Sequence, residues 1–264
     1  MEKYYIITVS QPPLCCFSTL WLLTLLFFAS SAQSANHVMI WPMDPVLTAN
    51  DNATEFWIEN KGTEPTTMQI RVIGWQQIDG QDRYSNQQNV VASPPFMRIE
   101  AGHKQLIRLI KQATVPASKE IAYRLLADEI LTPEQLAAPK IGINMQMRYS
   151  IPLFVYGEGI NYLRGSGDPI QLDQKYLSGQ LTRLNVKPAI KITNRVPIHA
   201  RLSQVVVQQG KKRIVLANSL FGYVLAGSSY IWLLPATIKQ PQRLTAQINT
   251  DKQLWQASST GLYQ

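Results

Sequence analysis

Residues Ile141 to Val155 read IGINMQMRYSIPLFV. Ile141, Ile143, Met145, Met147, Tyr149, Ile151 and Leu153 take alternate positions, with Gly142, Asn144, Gln146, Arg148 and Ser150 between them. Successive side chains of a strand point to opposite faces, so this period of two predicts one extended strand with an apolar face. It runs well past the usual strand of about 5–6 residues. A strand of that length requires a pairing partner along its whole course.

The rest of the chain is written in the same idiom. Thr54 to Glu59 is a strand-length run closed by Asn60-Lys61-Gly62, and Thr67 to Trp75 alternates Met68, Ile70 and Val72 with Gln69 and Arg71. Asp79-Gly80 marks the turn that follows. Met97 to Ile99, Ala101-Gly102 and Lys104 to Ile110 predict a hairpin. Ile121 to Ile130 has helix-like composition but is assigned as a strand, because its neighbours are strands and Thr132-Pro133 stops it. Further strands are predicted at Leu177 to Leu184, Ala189 to Thr193, His199 to Val207, Arg213 to Leu216, Tyr230 to Leu234 and Leu244 to Ile248. The Gly- and Pro-rich stretch Arg164 to Pro169, with Glu158-Gly159, separates two such sets. Many short strands in two sets predict an all-β chain of two sandwiches. The boundaries are 36–157 and 158–264.

Residues 1–35 are assigned to a signal peptide. Lys3 precedes an apolar core, Leu20 to Ala29, and small residues follow at Ser30, Ser31, Ala32, Ser34 and Ala35, which places cleavage between 32 and 36. The core is too short to span a bilayer comfortably, so the mature protein is expected to be exported and not integral to a membrane. Cys15 and Cys16, the two cysteines of the chain, both fall in this segment. The remainder therefore has no disulfide and no cysteine metal ligand, and it must hold together by packing and backbone ladders.

These residues carry a resemblance. Pro94-Pro95 followed by Arg98-Ile99 and Ala101-Gly102, the run QLIRL (Gln105 to Leu109), YRLLADEI (Tyr123 to Ile130) and the long strand ending IPLFV stand in an order similar to that of periplasmic chaperones of the chaperone–usher pilus pathway. In the second half IKITN (Ile190 to Asn194), HARL (His199 to Leu202) and GYVLAGSS (Gly222 to Ser229) continue the likeness, which is strongest to the archaic branch. The resemblance implies two immunoglobulin-like β-sandwiches set in an L, with a binding cleft between them. It implies a protein of the Gram-negative periplasm with no catalytic activity and no cofactor. Its partners would be pilus subunits that lack one strand, and an outer-membrane usher.

In that family the long strand of the first domain fills the client's missing strand position. Ile141, Ile143, Met145 and Met147 are then the side chains that enter the subunit groove. Each such burial contributes roughly 1.5–3 kcal/mol before ordering costs, and methionine adapts to imperfect grooves. Better-known members grip the client carboxylate with an arginine on the first strand and a lysine before the LF segment. This chain departs at both places: Val38 to Thr48 has no basic residue, and Pro152 precedes Leu153-Phe154. Arg124 and Arg148 are the candidate carboxylate anchors, ahead of Lys104 and Arg108, because both interrupt apolar patterns on neighbouring strands. Arginine binds carboxylates bidentately. Glu129 matches a family glutamate of an interdomain salt bridge, but Val155-Tyr156-Gly157 stands where its arginine partner is expected.

Other classes are weaker. His37, His103 and His199 are the only histidines, and none sits in a nucleophile or metal-ligand spacing. The formal charge of +8 suggests acidic partners, yet the one basic cluster, Lys211-Lys212-Arg213, reads as a hairpin turn and gives no case for nucleic acid. The rival reading is an exported adhesin or carbohydrate-binding module using Trp41, Trp57 and Trp75, although core or cleft positions are expected for all three.

Overall fold

The computed structural model describes residues 38–131, 146–160, 172–238, 242–250 and 253–257. Ten strands make up its first half: β1 (Val38–Trp41), β2 (Val46–Leu47), β3 (Ala53–Asn60), β4 (Thr66–Ile78), β5 (Gln81–Ser85), β6 (Val90–Ser93), β7 (Phe96–Ile99), β8 (Lys104–Lys111), β9 (Glu120–Ile130) and β10 (Arg148–Tyr156). They form two sheets, ordered β1-β3-β8-β6 and β2-β10-β9-β4-β5, with β7 also on β4. Alternation decides which side chains meet between them. Phe56 and Ile58 of β3, and Ile107 and Leu109 of β8, face Met68 and Ile70 of β4, Tyr123 and Leu125 of β9, and Ile151 and Leu153 of β10 in one buried core. The helix-like composition of β9 is overridden because Tyr123, Leu125 and Ala127 can all reach that core only from an extended backbone.

The second half holds β11 (Leu177–Leu184), β12 (Lys187–Asn194), β13 (Ala200–Gln209), β14 (Lys212–Val224), β15 (Ser229–Leu233), β16 (Arg243–Ile248) and β17 (Leu254–Ala257). Its sheets run β11-β12-β15 and β14-β13-β16-β17. Ile190, Ile192, Leu202, Val205, Val207, Leu244, Ile248 and Trp255 fill the space between them. That cluster does not stop at the second sandwich. It continues through Trp75, Ala122, Phe154 and Tyr156 on the outward face of the first.

A shared device marks the two sandwiches as variations on one plan. Asn60 ends β3 and Asn194 ends β12, and both are fully buried. Asn60 donates to the Glu64 and Ile99 carbonyls and accepts from Gly62 N–H at 2.9 Å. Asn194 donates to Ile198, Val224 and Leu225 and accepts from Val196 N–H, also at 2.9 Å. Each amide closes the following turn and ties it to another strand, which satisfies backbone groups that burial would otherwise leave unpaired.

Two sequence expectations are corrected by this topology. Residues 97–99 and 104–110 form strands but not a hairpin: β7 pairs with β4, whereas β8 pairs with β3 and β6. The turn between them, with Gly102 at φ 74°, carries the chain from one sheet to the other. The strand expected at Arg213 to Leu216 extends to Val224. Its register against β13 shifts three times, so the even alternation that signals a strand is broken within it.

Candidate functional site

β10 pairs with β9 over nine consecutive residues without a shift, from Arg148 opposite Asp128 to Tyr156 opposite Glu120. On its other side β2 reaches only Phe154 and Val155. From Arg148 to Leu153, no strand among the described residues covers that margin. The two ends of β10 differ in burial. Ile151, Leu153 and Val155 are sealed in the first core, while Phe154 and Tyr156 join the second cluster. Tyr149 is half-buried, and Met147, on the same alternation, is 37% exposed. Ile141, Ile143 and Met145 lie outside the described residues.

Arg148 is the first residue of β10, and its Nε forms an ion pair with Asp128 Oδ1. Asp128 also accepts from Arg71 Nη2 at 2.7 Å. Burial opposes ionisation of Asp128, but the hydrogen bonds and charges of Arg148 and Arg71 outweigh it and hold the carboxyl below its ordinary value. The ladder continues one step past β10, where Glu129 N–H donates to the Met147 carbonyl at 3.0 Å. The chain entering β10 is thus tied to the end of β9 by an ion pair and by main-chain bonds.

Arg124 lies elsewhere on the same face. It stands opposite Pro152, four residues along β9 from Asp128, a separation of about 13 Å at strand rise. The two candidate arginines therefore share a sheet face without meeting. Arg124 lies over the Trp75 ring, 3.7 Å from its centroid, with Tyr223 of the second sandwich at 5.8 Å. Its Nε is buried and has no hydrogen-bond acceptor. Among the described residues no carboxylate forms an ion pair with it. Aromatic faces stabilise a guanidinium by about 0.5–2 kcal/mol, but they satisfy none of its N–H groups. Tyr84, Tyr223 and Tyr230 border this cation. Burial, first of all, raises the pKa of each, so the hydroxyls stay protonated at neutral pH. Trp75 is fixed beneath Arg124 by its own Nε1–H, which donates to Asp82 at 2.7 Å.

Among the described residues, the seam between the sandwiches carries polar ties at three places. Glu120 accepts from His199 N–H at 3.0 and 3.1 Å and lies 2.8 Å from His199 Nδ1. The same imidazole stacks on Phe154, with ring centroids 3.6 Å apart and planes 9° from parallel. Gln77 donates to the Tyr223 carbonyl and accepts from Leu225 N–H, each at 2.9 Å. Ile231 N–H donates to the Gly80 carbonyl at 2.9 Å. Glu129, the residue matched to a family interdomain bridge, accepts from Thr66 within the first sandwich; Glu120 and His199 form the ionisable pair across the seam. Nothing in the sequence joins those two, which stand 79 residues apart. Asp128 left a fainter signal, as an acid on the same outward alternation of β9 as Arg124.

The tryptophans divide. Trp75 is a cleft residue, only 3% exposed. Trp41 and Trp57 stack on each other on the outer face of the first sheet, 6.1 Å apart and 6° from parallel, and are partly exposed. The expectation of core or cleft burial is wrong for those two, because β1 and β3 present these positions to the side away from the core. Lys104 sits over Trp57 at 5.2 Å, which places it on the sheet remote from β10.

This architecture is that of the two-domain PapD-like chaperones. Residues 40–161 match the family described as pili and flagellar-assembly chaperone, PapD N-terminal domain, and the first sandwich belongs to that family. The chain is similar to a structure from Acinetobacter baumannii, the CsuC–CsuE chaperone–tip adhesion subunit pre-assembly complex of archaic chaperone–usher Csu pili. Identity there is 29% with a TM-score of 0.67, covering 86% of this chain and 99% of that one. The E. coli chaperone DraB shares the fold at 17% identity and a TM-score of 0.56, covering 84% and 98%. The Salmonella enterica SafA pilin in complex with the SafB chaperone matches at 14% and 0.60, covering 86% and 98%. No curated protein sequence matches the chain. The chain is accordingly homologous to pilus-assembly chaperones and resembles their archaic branch.

Proposed function

We propose that this protein is a periplasmic chaperone that binds, folds and caps pilus subunits by lending them a strand, and then passes them to an outer-membrane usher. Residues 1–35 would direct its export. The observation that carries the reading is the margin of β10 from Arg148 to Leu153, uncovered among the described residues, beside a half-buried arginine whose buried Nε has no acceptor there. A subunit short of one strand exposes unpaired backbone groups and an apolar groove. The β10 margin offers the backbone groups, and Met147, with Ile141, Ile143 and Met145 before it, supplies apolar side chains on one alternation.

Arg124 and Arg148 are the proposed anchors for the subunit carboxylate. Of the two, Arg124 is favoured. It lies against the second sandwich with donor capacity unspent, whereas Arg148 already serves Asp128. The test is co-expression with candidate subunits and copurification from a periplasmic extract. The wild-type chain should yield a one-to-one complex, and Met145→Asp should yield none while keeping its circular dichroism, because a carboxylate would enter an apolar groove. Full complex formation by the folded variant would refute the donor role of that face.

A further inference from the structure

The turn joining β4 to β5 reaches across the seam to the second sandwich. Asp79 and Gly80 both have positive φ, 53° and 75°, as a two-residue hairpin turn requires. The tip does not end in solvent. Gly80 forms a parallel bridge with Tyr230 of β15, and its carbonyl accepts from Ile231 N–H at 2.9 Å. Among the described residues β15 pairs with β12 on one side within its own sheet, and the hairpin tip meets part of its other edge. The fit is close. A Cβ on Gly80 would overlap Cγ1 and Cδ1 of Ile231, so glycine is needed for space as well as for φ.

This contact lies at one end of a row. Gln77, three residues before the tip, holds Tyr223 and Leu225, and Trp75, two residues earlier, is the ledge under Arg124. A recess of ≈ 420 Å³ lined by Trp75, Gln77, Glu120, Ala122, Leu225 and Ser228 separates the hairpin from the Glu120–His199 tie. In a seam that is not filled throughout, the discrete ties share with the apolar contacts of Trp75 and Phe154 the task of fixing the angle between the sandwiches. Tyr223, which borders Arg124, belongs to the second sandwich, so that angle also decides the shape of the pocket around Arg124.

We infer that the Asp79-Gly80 hairpin tip, seated on Ile231 of β15, is a latch that sets the angle between the two sandwiches and so positions the cleft around Arg124. Gly80 and Ile231 are positioning residues in this scheme and touch no subunit. The consequence for capture rests on the chaperone reading; the geometric claim does not.

The test uses the full chain with Cys15 and Cys16 replaced by serine and spin labels at Lys61→Cys and Lys211→Cys, both exposed, one on each sandwich. Gly80→Ala should broaden the label-to-label distance distribution and weaken capture of a co-expressed pilus subunit about tenfold. Adding Ile231→Ala should restore most of both. The single and double variants carry the same backbone strain at residue 80, so only relief of the overlap separates them. Ile231→Ala alone, which removes packing without a clash, should broaden the distribution slightly. A distribution unchanged in Gly80→Ala overturns the latch, and a broadened one with undiminished capture overturns the positioning role. If the wild type captures no subunit, the chaperone reading fails, and the distances alone then decide for or against the latch.

Discussion

Two long edge strands, β10 and β14, show opposite solutions to the same problem. β10 keeps one register with β9 over all nine of its residues. β14 is longer, at thirteen residues, and is also an edge, but its register against β13 shifts three times and Gln204 opposite it adopts φ 50°. Bulges twist an edge and misalign its free N–H and C=O groups, which is how a natural sheet refuses a new neighbour. Lys212 and Arg213 at the start of β14, with Lys211 in the turn before it, add charge to the refusal. A flat, regular margin is a liability unless something is meant to occupy it. The chain has irregularity available and places it on β14 and not on β10, so of these two edges strand addition is expected at β10.

The largest expected effects separate the sealed end of β10 from its open end. Ile151 is 1% exposed, and Ile151→Asp buries an unpaired charge in the first core; a loss of at least about 3 kcal/mol in denaturant titration follows. Met147→Asp, on the same alternation four residues earlier, should leave the unfolding midpoint within about 0.5 kcal/mol of wild type and eliminate subunit complexes. If both variants unfold the protein, the alternation is all core and β10 has no open end.

The two arginines give the next contrast. Arg124→Ala removes charge-assisted hydrogen bonds to a client anion, worth about 1.5–3 kcal/mol, so subunit affinity should fall about 10- to 100-fold in titration calorimetry. Arg148→Ala should fall well short of that, because its charge is already engaged. Equal losses would make both of them anchors, and no loss in either would place the anchor on another residue. For β14 the expectation is silence: Leu220→Glu, at a half-exposed position, should shift stability by no more than about 0.5 kcal/mol and leave capture unchanged.

Strand content was legible in the sequence wherever one face is buried, because alternation then records the core directly. Thr54 to Glu59, Thr67 to Trp75 and, within the run ending IPLFV, Arg148 to Val155 all became strands with one apolar face in the first core, while Trp57, Trp75 and Phe154 stand on the opposite faces. Pairing was less legible. The run around Ala101-Gly102 has the local chemistry of a hairpin, yet the choice between turning back and crossing sheets is made by partners distant in sequence, in β3 and β4. The cleft was legible only in part. Arg124 stood out as a cation in an apolar strand, but its seat on Trp75 and the Glu120–His199 tie exist only once two separate sandwiches pack together. Pairing of Arg148 with Asp128 was hidden for a similar reason, since it depends on the β9–β10 register.

That ion pair yields the smallest and most discriminating prediction. Asp128 has a native pKa below its ordinary value, so its contribution is fully present above the unfolded carboxylate value of about 4 and is lost only as pH falls through the lower native value. Arg148 is 64% exposed, and a solvent-screened pair of this kind contributes no more than about 1 kcal/mol. Between pH 8 and 5, hydrogen-exchange protection of the amides of residues 147–150 should therefore stay flat, and below about pH 4 it should drop. Asp128→Asn should lower the plateau slightly and abolish the acid step, because the asparagine neither titrates nor holds two guanidinium groups. A wild-type step between pH 5 and 7 would place control of the open end of β10 on another group. A step that persists in Asp128→Asn would show that a group other than Asp128 sets it.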